Sequence, residues 1–87
     1  MCYDINMTLT DTQVNEIEAA QHVLGHYGIK GGFMAGSFTN LLIETIARAD
    51  GGNFALLRSV YKELADAVHL YKNDDNGIEK LQAQARS

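Results

Sequence analysis

The stretch from Gly32 to Ala49 constrains this chain more than any other, because it reads as a helix with more apolar surface than short neighbours can cover. With the helical turn of about 100° per residue, Met34, Ala35, Phe38, Leu41, Leu42, Ile43, Thr45, Ile46 and Ala49 span roughly 200° of the circumference, against a usual stripe nearer ~100°. Ser37, Asn40, Glu44 and Arg48 share the narrow polar side. A helix of this kind belongs at the centre of a bundle, with a second chain completing its burial; the competing reading is a monomer with the short C-terminal helix folded across the open side. The reading is therefore a homo-oligomer, with Met34, Phe38, Leu42, Ile43 and Ile46 as the candidate oligomer or partner interface.

The remaining elements follow from local signals. Thr10 with Gln13 makes a capping box, and Leu9 with Val14 a hydrophobic staple. Val14, Ile17, Ala20, Leu24 and Tyr27 then repeat at helical spacing, and Gly28 supplies a C-terminal stop. These predict a helix over 10–27. The central helix follows over 32–49. Asp50-Gly51-Gly52 breaks the chain, and Asn53 is a capping residue for a third helix over 53–72. One face of that helix carries Phe54, Leu57, Val60, Tyr61, Leu64, Val68 and Tyr71. Asn73 to Gly77, "NDDNG", is turn chemistry. A short helix over 78–85, anchored by Leu81 and weakly capped by Asn76 and Glu79, closes the chain. Residues 1–9 read as an irregular arm. The fold class is all-α: a single compact domain over 1–87, three main helices plus a short C-terminal one.

Composition bounds the function. A chain of 87 residues buries only ~60–65% of its unfolded surface, so its core is thin. Cys2 is the only cysteine, which excludes an internal disulfide and fits a reducing, cytoplasmic setting. The opening "MCYDINM" has neither the basic region nor the apolar run of a secretory signal. No stretch approaches the ~20 apolar residues of a membrane span. The net charge is −4, and Lys and Arg are scattered singly, so no basic stripe for nucleic acid exists.

Three groups of residues invite a chemical reading. Glycines concentrate between Tyr27 and Phe38. Amides at a helix start can hold an anion, so Gly28, Gly31 and Gly32, with Lys30 adding charge, are the candidate phosphate site. The order of a P-loop is missing, and no strand precedes the turn. The competing reading is a turn plus a close helix contact through Gly32 and Gly36. His22 and His26, one turn apart, have a spacing that can grip a metal, but Val23, Leu24 and Gly25 between them are not H-E-x-x-H. Two histidines leave such a site incomplete, and the competing reading is a solvated polar face. "YKNDDNGIEKL" fails as a calcium loop, because aligning Gly77 with the loop glycine puts Lys72 first and Ala83 twelfth. Cys2, were Met1 removed, would be an N-terminal thiol without a recognisable activating base or oxyanion pocket. No cofactor is implied, and no catalytic set can be assembled.

The segment "GGFMAGSFTNLLIETIARADGGN" resembles a pattern found in small proteins encoded by bacteriophages and prophages. In that pattern a Gly-Gly/Ser-Phe entry precedes an apolar helix with an Asn near its middle, followed by Ala-Asp-x-x-Asn and another helix. Gly31, Gly32, Phe33, Asn40, Ala49, Asp50 and Asn53 stand at those places, and the likeness covers roughly residues 27–64. It departs at the C-terminus, where many relatives have Trp-Gly and this chain has no tryptophan. The resemblance implies a phage setting and a compact helical fold in a bacterial host cell, with Phe33 as the anchor of the central helix. It implies no reaction. The expectation is a non-enzymatic accessory protein that acts by binding. Its sharpest form is an inhibitor of a host defence system that sequesters a phosphate-containing nucleotide signal. The alternatives are capture of a host protein on an exposed apolar face and a small metal-binding enzyme.

Overall fold

The computed structural model describes residues 11–86, with side chains from residue 14 onward. Residues 1–9, Cys2 and the Thr10 and Leu9 capping signals lie outside the described residues. The chain is all-helical, with α1 over Asp11–His26, α2 over Ser37–Arg48, α3 over Gly51–Val60, α4 over Lys62–Asn73 and α5 over Gly77–Ala85. Among the described residues there is no strand.

The end of α1 follows the glycine rule. Gly28 takes φ +70°, its N–H donates to the Gly25 carbonyl, and the Ile29 N–H donates to the Leu24 carbonyl. That bond pair satisfies two carbonyls left over at the helix end. The chain then runs back along α1 instead of starting a helix. The Phe33 N–H donates to the Gln21 carbonyl at 3.0 Å. A Cβ on Gly32 would lie 2.1 Å from the Gly25 nitrogen, and one on Gly25 would lie 2.1 Å from the Phe33 carbonyl oxygen. Two glycines thus let one backbone rest on another. This contact delays α2 to Ser37, five residues later than the sequence pattern predicts. The close pair is Gly25 with Gly32; around Gly36 a Cβ would meet nothing within 4 Å.

The middle of the molecule is α1 against α4, flanked by α5, and not the helix of residues 37–48. Small side chains explain the arrangement, since Ala19 and Ala20 of α1 and Ala65 and Ala67 of α4 are all buried. Val23, Leu24, Val68 and Leu81 complete this core. Helix α2 packs on α4 and α1 from one side and contributes Ile43 and Ile46. The anchor role expected of Leu81 holds, for it is fully buried. Gly77 seats α5 closely, because a Cβ there would lie 2.1 Å from the Leu70 carbonyl oxygen.

The helix expected over 53–72 is two helices. Tyr61, at φ −117° and ψ 57°, bends the chain between α3 and α4. No proline or glycine marks the place. A straight helix of this length would extend ~30 Å, beyond the reach of α1, and the bend keeps α4 on the core while α3 packs outside it. Arg58 clasps Asp66 across the bend, with Nε at 2.6 Å and Nη2 at 3.2 Å from the two carboxylate oxygens. Helix α3 opens with Asp50 as its cap, whose Oδ1 accepts from the Asn53 N–H at 2.8 Å. Asn53, expected to cap, is the residue whose amide is capped. At the "NDDNG" turn, Asp74 accepts from the Asn76 N–H at 2.8 Å and pairs with Lys80 at 2.7 Å. The Asn76 side chain makes no capping bond.

Candidate functional site

Helix α2 has two apolar faces. Ile43 and Ile46 point inward and are 0% and 2% exposed. Phe38 and Leu41, with Thr45 one turn further, lie on the outer face. Helix α3 repeats the pattern: Phe54 and Leu57 turn toward the core, while Leu56 and Val60 do not, and α3 has no fully buried residue. Phe38, Leu41, Leu56 and Val60 are 66%, 67%, 68% and 71% exposed. The two outer faces adjoin. One groove joins Phe38 and Leu42 to Val60 and Tyr61, bordered by Glu18 and His22 of α1 and Glu63 of α4. A second, at the far end, joins Thr45 and Arg48 to Leu56 and Leu57. An apolar face therefore extends over both helices, with carboxylates at one end and a guanidinium at the other.

Beside it stands a polar clasp between α1 and α2. The His26 ring is largely buried, its side chain 15% exposed. Nε2 lies 2.9 Å from Glu44 Oε1 and Nδ1 lies 3.3 Å from Asn40 Oδ1. Asn40 is oriented by its own Nδ2, which donates to the Ala35 carbonyl and to Met34 Sδ. A protonated ring donates both bonds; a neutral ring donates one. Glu44 also accepts from Arg48 Nε at 3.2 Å. The His26 hydrogen bond, followed by the Arg48 charge, holds the Glu44 carboxyl below the usual carboxylate range despite some desolvation. Tyr27 meets His26 edge-on and stacks on Tyr71, with ring centroids 4.1 Å apart. Burial, then the Glu44 charge, pushes the Tyr27 hydroxyl up.

The structure separates several residues that the sequence groups. Met34, Phe38 and Leu42 lie at or near the surface, 75% and 66% exposed for the first two, but Ile43 and Ile46 belong to the core of their own chain. Phe33, expected to anchor α2, is 62% exposed. His22 and His26 share a helix face but face different surroundings: His22 borders the α2–α3 groove, while His26 is held by Asn40 and Glu44. Among the described residues no three His, Cys, Asp or Glu side chains converge as metal ligands. The expected solvated face fails at His26, whose ring is covered by α2 and held between Asn40 and Glu44.

Gly28, Lys30, Gly31 and Gly32 precede the start of α2 and do not form it. The amides of Gly28, Ile29, Gly32 and Phe33 donate to the carbonyls of Gly25, Leu24, Ile29 and Gln21, so they are spent on folding the turn. The Lys30 carbonyl accepts from Gln82 Nε2 at 2.8 Å, tying the turn to α5. Gly31, at φ +98°, is a left-handed position that favours glycine. Val60, placed by its spacing on the packed face with Phe54, Leu57 and Leu64, is exposed because the bend at Tyr61 interrupts that spacing, and Leu56 was assigned to no face. Glu44 and Asn40 were missed as partners of His26 because the pairing crosses between helices.

No helix among the described residues is long and apolar enough to cross a membrane. Compared with known protein families, with curated proteins and with solved structures, the chain matches none.

Proposed function

We propose that this chain works by binding another macromolecule through the apolar face of α2 and α3, without catalysis. The observation that carries the reading is the exposure of Phe38, Leu41, Leu56 and Val60 on two adjoining helices whose other faces are packed. Four such side chains offer on the order of 500 Å² of apolar surface, near the top of what a monomer ordinarily leaves in water. The His26 clasp ties α2 to α1, and the Asp50 cap secures the first turn of α3. A face of this kind suits a helix or another flat apolar surface better than a small molecule.

The resemblance of residues 27–64 to small phage proteins supports a bacterial host protein as the captured partner, and a component of a host defence system is the sharpest form of that reading. Sequestration of a nucleotide draws less support, since the amides around Gly28 and Gly32 already donate within the turn. The test is a variant carrying Leu41→Asp and Leu56→Asp. Both side chains are exposed, so its thermal melt should stay within a few degrees of the parent. Any complex the chain forms when isolated from its host, read by native mass spectrometry, should disappear. A complex that survives both substitutions would show that binding uses another surface.

A further inference from the structure

We propose that Asn76–Gly77 is a self-modification site. When α5 opens, the Gly77 nitrogen closes on the Asn76 side chain. Water then converts Asn76 to aspartate or isoaspartate, leaving a covalent mark at the seat of α5. Of the six asparagines, Asn76 alone precedes a glycine. With no Cβ on the attacking residue, nothing hinders the approach of its nitrogen. The fold does not let another residue take that place. Gly77 is buried, and a Cβ on it would lie 2.1 Å from the Leu70 carbonyl oxygen, so the close seat of α5 on α4 requires glycine. Asn76 itself is exposed, and its side chain makes no capping bond. Asn40 and Asn73, by contrast, hold their side-chain amides in hydrogen bonds to the Ala35 and His69 carbonyls.

Water is the only co-reactant. The Gly77 nitrogen gives up its proton and bonds to Asn76 Cγ. The Cγ–Nδ2 bond breaks, and ammonia leaves with that proton, so a five-membered imide remains. Water then adds at one of its two carbonyls. Breaking the new Cγ–N bond gives aspartate with the original chain intact. Breaking the original C–N bond gives isoaspartate, in which the chain runs through Cβ and Cγ and is one atom longer.

The folded chain holds the site closed. Ring closure needs Asn76 Cβ and the Gly77 nitrogen eclipsed about the Cα–C bond, and at ψ 23° they stand nearly opposite. The Gly77 N–H also donates to the Asp74 carbonyl at 3.0 Å. Turning the peptide breaks that bond and lifts Gly77 from Leu70, so the reaction waits for local opening of α5. The two products then differ. Aspartate keeps the backbone and places a negative charge at the start of α5, where the helix amides favour it. Isoaspartate displaces the Asn76 carbonyl, which accepts from the Lys80 N–H at 3.0 Å. The extra chain atom does not fit the seat beside Leu70, so α5 fails to return with Leu81 buried.

The test follows the full chain by peptide-mapping mass spectrometry, with synthetic peptides of both products as standards. In concentrated urea at mildly alkaline pH, Asn76 should convert before any other asparagine. In native buffer at the same pH the conversion should be at least about tenfold slower, because only the open fraction reacts. Gln21→Ala with Gln82→Ala removes the bonds from those side chains to the Ala85 and Lys30 carbonyls. That variant, shown to be folded by circular dichroism, should convert at least about fivefold faster than the parent in native buffer. Asn76→Gln, whose longer side chain disfavours the ring, should show no conversion at this position over the same period. The purified isoaspartate form should melt well below the parent, and Asn76→Asp within a few degrees of it. The urea comparison and the isoaspartate melt need no substitution. Conversion first at another asparagine would overturn the proposal. So would a native rate equal to that in urea or unmoved by loosening α5, or an isoaspartate form that melts with the parent.

Discussion

Substituting Gly25 by alanine tests whether the close contact beneath the glycine turn is real, because two physical effects then predict opposite signs. Gly25 is the last residue but one of α1, inside its final turn. On helix propensity alone, Gly→Ala there should stabilise, by up to about 1 kcal/mol. The contact says otherwise. The new Cβ would lie 2.1 Å from the Phe33 carbonyl oxygen and 2.4 Å from its carbon. Ordinary contact begins near 3.4 Å, so the segment must retreat by more than about 1 Å, and overpacking of this order costs roughly 1–3 kcal/mol. That retreat also strains the Phe33 N–H bond to Gln21, which adds about 1 kcal/mol. The balance is a net loss of about 1–3 kcal/mol. Gly36→Ala is the control, since a Cβ there meets nothing within 4 Å and φ is −68°. It should be close to neutral, because the gain from a less flexible unfolded chain is offset by alanine's poorer fit at the α2 N-cap. Urea unfolding at fixed protein concentration would read both, as shifts in midpoint at unchanged slope. A Gly25→Ala protein as stable as the parent, or more so, would refute the contact and the account of why α2 starts late.

Two further outcomes follow from burial and charge. Leu24→Ala should cost about 2–5 kcal/mol, because the side chain is fully buried, whereas Leu41→Ala, read on dilute protein, should cost under ~0.5 kcal/mol; equal losses in urea would mean the outer face of α2 is packed within the chain. Glu44 governs part of the acid limb. Its carboxyl titrates lower in the folded state than in the unfolded one, so its contribution is fully present above the ordinary value near ~4.3 and is lost as pH falls through the depressed folded value. Glu44→Gln should therefore flatten the stability profile below about pH 4, and an acid limb as steep as the parent's would contradict the His26 clasp.

What could be read from the sequence was local. Gly28 ends α1, "NDDNG" turns the chain and Leu81 anchors α5, each because neighbouring residues carry the whole signal. What could not be read depends on partners far along the chain. Periodicity shows that α2 is apolar most of the way round but not which side α1 and α4 will cover. Leu41, one of the apolar positions of the predicted central helix, thus faces outward, and Ile43 and Ile46 face in. His22 and His26 look like a pair in one dimension, but Asn40 and Glu44, fourteen and eighteen residues from His26, hold its ring. The bend at Tyr61 has no glycine or proline because packing on α1 produces it. Three positions between Gly31 and Asn53 have roles that only the fold reveals. Gly32 permits the backbone contact, Asn40 orients His26, and Asp50 caps Asn53.

The central claim is that the outer face of α2 and α3 is where this chain meets its partner. Photo-crosslinking in the host cell tests it most directly, with a photoreactive phenylalanine analogue placed at Leu41, at Leu56 and, as a control, at the exposed polar Glu79 of α5. The account expects discrete adducts from Leu41 and Leu56, to a second copy or to one other protein, and none of the same mass from Glu79. Adducts that are absent at Leu41 and Leu56, or as strong and of the same mass at Glu79, would contradict it.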